Sequence, residues 1–101
     1  MIVHTTLDGN NARLTLEGRF DFNANKDFRG AYESVLANPA VSVIELSFTR
    51  VDYLDSSALG MLLLLKDKAD AAHKRVELSG TQGIVRQVFE IANFQKLFTF
   101  R

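Results

Sequence analysis

The chain has 101 residues, 47% of them hydrophobic and 24% charged, which is an ordinary balance for one folded domain and excludes disorder. Twelve Lys and Arg residues offset twelve Asp and Glu residues, so the formal net charge is zero and no concentrated basic face for nucleic acid is expected. The chain has no cysteine, which excludes a disulfide framework or a thiolate metal site and fits a reducing cytoplasm.

The opening MIVHTTLDGN lacks the basic and long apolar regions of a signal peptide. The longest apolar stretch, ALGMLLLL, is far short of the roughly 20 residues of a membrane span. A soluble, cytoplasmic chain with no membrane insertion is therefore expected.

In chain order, Ile2 to Leu7 and Ala12 to Leu16 read as the arms of a hairpin. DGNN between them supplies residues that tolerate a tight turn. Phe28, Ala31, Tyr32, Val35 and Leu36 recur at helical spacing, with Asn23 or Asn25 available as N-cap and Asn38-Pro39 as terminator. VSVIELSF (41–48) reads as a mostly buried strand.

A second helix is expected from near Ser56 to about His73, apolar nearly all round in its first half. RVELSG follows as a short strand. TQGIVRQVFEIAN then reads as a third helix with a stripe of Ile84, Val85, Val88, Phe89 and Ala92, and KLFTF as a final edge strand. The order β-β-α-β-α-β-α-β predicts a single α/β domain over residues 1–101. Its mixed sheet opens with an antiparallel hairpin and carries packed helices.

Catalytic templates find little support. GxxxxGK[ST], GxGxxG and the GxSxG elbow are all missing, and the two histidines, His4 and His73, have no ligand or triad partners at fixed spacing. His73 reads as a residue near the negative end of a helix dipole. Asp21, Asp52 and Asp55 are expected in or near loops on one side of the sheet, chiefly as turn and cap residues. No enzyme is expected.

The step VDYLDSSALGMLLLL (51–65) stands apart. Asp55 suffices to cap the helix that follows, leaving Ser56 and Ser57 in the first turn. A phosphate on a serine there adds a charge of about −1.5 to −2. The positive helix end tolerates it, while a partner burying that face would have to desolvate a dianion.

LDSSALGMLLLL after VSVIELSFTRVDY resembles the signature of STAS domains of the bacterial anti-sigma factor antagonist family, in which a hydrophobic strand leads into Asp-Ser-Ser/Thr-Gly-Leu-Gly and a helix. LEGRFDFNAN resembles the family's Gly-Glu-Leu-Asp segment, with Gly18 and Asp21 in register, and GIVRQVFEIANFQKLF is similar to its last helix. The resemblance spans the whole chain.

It implies a phosphorylation-controlled partner switch in signal transduction and transcription regulation. The unphosphorylated protein binds an anti-sigma factor or comparable regulator, and phosphorylation releases it. Carried over, Ser56 is the acceptor for a serine kinase of the histidine-kinase-ATPase type, and a serine phosphatase restores it. Asp55 orients the site, Asp21 lines it from the neighbouring loop, and Ser57 supports the helix start. ATP and Mg²⁺ belong to the kinase, so no cofactor or metal is expected in this chain.

The family's usual glycine is Ala58 here, a good helix former whose methyl group is expected where a partner approaches. Arg19 replaces the commoner acid and changes the charge of that face. The other reading that the resemblance allows is a phosphorylation-independent structural subunit of a transport complex, which would need no acceptor serine.

Overall fold

The computed structural model describes residues Met1–Arg101. Strands β1 (Ile2–Asp8), β2 (Asn11–Phe20), β3 (Val43–Leu54), β4 (Arg75–Ser79) and β5 (Thr99–Phe100) form one sheet in the order β1-β2-β3-β4-β5. The β1–β2 hairpin is antiparallel and every other pairing is parallel, as helical crossovers demand. Helices α1 (Asn25–Leu36), α2 (Ser56–Ala71) and α3 (Gly83–Ile91) make those crossovers. The mixed sheet and the expected order of elements are both present.

Period-two alternation sorts the sheet into two unlike faces. Ala12 and Leu14 align with Ile44 and Leu46, and these with Val76 and Leu78; together with Leu16 they form the buried apolar face. The helices cover this face. A chain of rings ties α1 and α3 to it: Tyr32 meets Phe28 within α1, Phe28 meets Phe20 of β2, Phe20 stacks at 6.3 Å on Phe48 of β3, and Phe48 meets Phe89 of α3 edge-on at 5.2 Å. Such pairs add about 0.5–1.5 kcal/mol each beyond area burial.

No element covers the opposite face. There Glu45 and Glu77 stand side by side in register on β3 and β4, yet both are buried. Arginine side chains do the burying. The Arg101 guanidinium donates to Glu77 at 2.6 Å and to Glu45 at 2.7 Å, Arg75 adds a 2.7 Å bond to Glu77, and Ser79 donates to Glu45 at 2.7 Å. Burial alone would push the Glu45 carboxyl up, but hydrogen bonds from Ser79, Arg13 and Asn11 with the Arg101 charge hold it below the ordinary value. For Glu77 the Arg101 bond dominates and lowers the carboxyl likewise.

Several boundaries differ from the sequence-based expectation. Strand β2 continues to Phe20 and β3 to Leu54, because Glu17–Phe20 pairs with Arg50–Leu54 past two register shifts around Gly18. Asp52 therefore lies within a strand, not a loop. Neither Asn23 nor Asn25 caps α1. A 3-10 turn, Phe22–Ala24, precedes that helix, and Asp21 caps the turn.

Helix α2 ends at Ala71, with His73 beyond it at φ 59. The His73 amide donates to the Asp70 carbonyl and the Lys74 amide to that of Ala69, the two bonds of a Schellman motif. Leu63 and Leu64 are exposed, so the apolar first half of α2 is not buried all round. Ile84 of α3 is likewise exposed, because only Val85 and Phe89 of that helix turn fully into the core. The final strand shrinks to Thr99–Phe100, preceded by a 3-10 turn over Phe94–Lys96.

Candidate functional site

The site lies where β2 and β3 end. Phe20 pairs with Leu54, so the residues after them, Asp21 and Asp55, leave adjacent parallel strands at the same level. The Asp55 amide donates to the Phe20 carbonyl at 3.4 Å and stitches the two exits together.

Asp55 is extended at φ −123, ψ −176, as an N-cap must be, and its Oδ1 accepts the amides of Ser57 at 3.0 Å and Ala58 at 3.4 Å. Asp21 has nearly the same backbone geometry and accepts the Asn23 amide at 3.0 Å. Both carboxylates therefore serve the backbone that carries the site.

Ser56 is the first residue of α2 and is exposed, while Ser57 is half-buried. Since Asp55 already supplies the cap, the Ser56 hydroxyl is not needed for it. Ala58 is fully buried. Its methyl group packs into the core and does not meet an approaching partner, contrary to the expectation from sequence. Its contribution to the site is its amide.

Arg19 does reach the surface. Its guanidinium lies 3.9 Å above the Tyr53 ring and its Nε is 3.5 Å from Asp21, so its charge is partly answered on the spot. Asp52 sits upstream on β3, and no group of three His, Cys, Asp or Glu side chains able to hold a metal forms anywhere in the chain.

Two depressions flank the site. One, about 310 Å³, is a shallow groove that Ser57 shares with Phe22, Asn25, Gly60, Met61 and Leu64. The exposure of Phe22, 73%, makes it the most prominent apolar side chain there. The other, about 550 Å³, holds Asp21 and Arg19 beside Glu17, Gly18 and the chain start. Sequence periodicity missed Phe22 because it sits in an isolated 3-10 turn that belongs to neither helix nor strand.

This fold, with twin aspartate caps and an exposed serine opening a helix, is that of a STAS domain. Residues 3–99 match the family model described as "Mlab, STAS domain", and the chain belongs to the STAS-domain family. A STAS-domain containing protein of Pseudomonas aeruginosa (strain UCBPP-PA14) is 45% identical over 91 residues, which cover 90% of this chain and 88% of the relative.

Among solved structures the chain is similar to SpoIIAA from Bacillus in its phosphorylated form. The match has a TM-score of 0.74 and 21% identity, covering 99% of this chain and 91% of that one. The unphosphorylated form of SpoIIAA, an anti-sigma factor antagonist, matches with the same TM-score and covers 99% and 87%. An anti-sigma factor antagonist from Mycobacterium paratuberculosis matches at a TM-score of 0.86 and 14% identity, over 98% of this chain and 83% of that one. At these identities the structures share the fold. No helix of this chain is long and apolar enough to cross a membrane.

Proposed function

We propose that this chain is an anti-sigma factor antagonist that works as a partner switch, with Ser56 as its phosphate acceptor. Unphosphorylated, it captures an anti-sigma factor or comparable regulator. A serine kinase of the histidine-kinase-ATPase type phosphorylates it, and a serine phosphatase resets it. The observation that carries this reading is the division of labour at the start of α2, where Asp55 makes both capping bonds and leaves the neighbouring exposed serine free for chemistry.

The physics of the switch follows from position. A phosphate on Ser56 sits at the positive end of a 16-residue helix, a favourable placement of about 0.3–1 kcal/mol that leaves the fold intact. The same charge stands beside Asp55 and the groove shared by Phe22, Ser57 and Leu64. A partner seated there would bury the dianion, and a penalty of about 3 kcal/mol lowers affinity more than a hundredfold.

The test is intact mass after incubation with cognate kinase and ATP, followed by capture of the regulator. The wild type is expected to gain one phosphate and Ser56→Ala none. Ser56→Asp should lose capture while its circular dichroism stays native. Capture that is indifferent to Ser56→Asp would instead fit a constitutive subunit and sink the switch.

A further inference from the structure

The sheet has two unlike edges. At one, β5 is only two residues long. At the other, all seven residues of β1 are exposed or half-buried, and Ile2 and Leu7 are each 56% exposed. Proteins ordinarily blunt such an edge with lysine, proline or a bulge. The β1 sequence IVHTTLD contains neither residue, and the strand pairs with β2 in unbroken register.

The hairpin determines which backbone groups of β1 are free. Asp8 and Asn11 close a two-residue turn, with Gly9 at φ +61 in its first position. The pair closing such a turn exchanges both hydrogen bonds, and the pattern alternates from there. Ile2, His4, Thr6 and Asp8 therefore spend their backbone groups on β2. Val3, Thr5 and Leu7 direct theirs outward, where no element of this chain meets them.

We infer that β1 pairs antiparallel with β1 of a second copy, about a two-fold axis at Thr5. In that register Val3 faces Leu7 of the second copy, Thr5 faces its own equivalent, and every outward N–H and C=O finds a partner. Any other register leaves at least one of the three residues unpaired.

The side chains agree with the backbone. Val3, Thr5 and Leu7 share the face of Leu16, Leu14 and Ala12, so pairing sets apolar against apolar with threonine against threonine between them. The strand's one acid, Asp8, falls across from Ile2, so no like charges meet. This apolar–Thr–apolar palindrome favours a second copy over an unrelated peptide. The interface is small and the dimer weak. β2 separates it from β3, which leads into Ser56, so the inference is independent of the switch.

Sedimentation equilibrium from about 10 µM to about 1 mM tests it. The wild type is expected to climb from 11.3 kDa toward twice that mass. Thr5→Pro removes the N–H at the axis without touching a bond to β2, and should stay monomeric with native circular dichroism. Should proline unfold the hairpin, Leu7→Lys, a change at an exposed position, is expected to weaken association at least tenfold. A wild type monomeric throughout overturns the inference. So does association unchanged in whichever of the two variants folds, which would point to another surface, such as the exposed Ile84 and Ile91 of α3.

Discussion

Asp21 and Asp55 perform the same task one strand apart. Each follows a residue of the Phe20–Leu54 register pair, and each accepts an amide two residues ahead at 3.0 Å. The two caps differ in what they support. Asp21 holds a three-residue 3-10 turn, whereas Asp55 holds the start of a 16-residue helix.

Asp55→Ala is accordingly expected to cost about 1 kcal/mol, the ordinary worth of an N-cap, and Asp55→Asn only a fraction of that because the amide oxygen still accepts. Asp21→Ala should cost less, since the turn it caps is short. Urea midpoints at unchanged slope are the measurement. Equal losses for the two alanine variants would contradict this ranking.

Much of the site was legible because its signals are local. Asp-Ser-Ser ahead of an apolar run encodes a cap and a helix start within four residues, and α2 begins at Ser56 as that pattern requires. The fate of Ala58 was not legible, because whether its methyl faces a partner or the core depends on how the first turn of α2 docks on the sheet. Nor was the role of Glu45 and Glu77. Their partner Arg101 lies 56 residues from Glu45 along the chain, and only strand order brings them together. The exposed Ile84 shows the same limit. A helical stripe names one face, but the sheet accepted only the part of it centred on Val85 and Phe89.

Gly80 follows β4 at φ +68, a conformation that costs a residue with a Cβ about 1–2 kcal/mol. A Cβ there would also collide with the Thr49 side chain and come within 3.1 Å of the Thr49 backbone nitrogen. Gly80→Ala is therefore expected to destabilise by about 2–4 kcal/mol, strain and overpacking together. Thermal unfolding checks it. A variant within about 0.5 kcal/mol of wild type would mean that the β4–α3 loop yields easily, as ordinary surface positions do.

The C′ position of α2 predicts the opposite sign. His73 occupies the left-handed region at φ 59, where glycine is the usual residue of a Schellman motif. Its side chain is exposed, so little packing is lost on truncation. His73→Gly should stabilise by about 0.5–1 kcal/mol, the relief of left-handed strain less the added entropy of the unfolded chain. Chemical denaturation at pH 7 reads this directly.

Glu45 and Glu77 predict how stability responds to acid. Both carboxyls titrate below the ordinary glutamate value of about 4.3 in the folded protein, so the unfolded chain binds protons first as pH falls. Their stabilisation is fully present above that unfolded value and is lost as pH drops through it toward the folded values. Arg101 is the one contributor the two share: its hydrogen bond dominates for Glu77, whereas for Glu45 its charge adds to the larger effect of the hydrogen bonds from Ser79, Arg13 and Asn11. Arg101→Ala is expected to cost about 1.5–3 kcal/mol at pH 7, the range for hydrogen bonds to charged groups, and to flatten the loss of stability as pH falls below the ordinary glutamate value. Glu77→Gln should flatten the same limb, because it removes one of the two titrating groups. An acid limb that stays as steep in both variants as in the wild type would mean that other carboxylates carry it, and that the uncovered face of the sheet contributes no pH dependence.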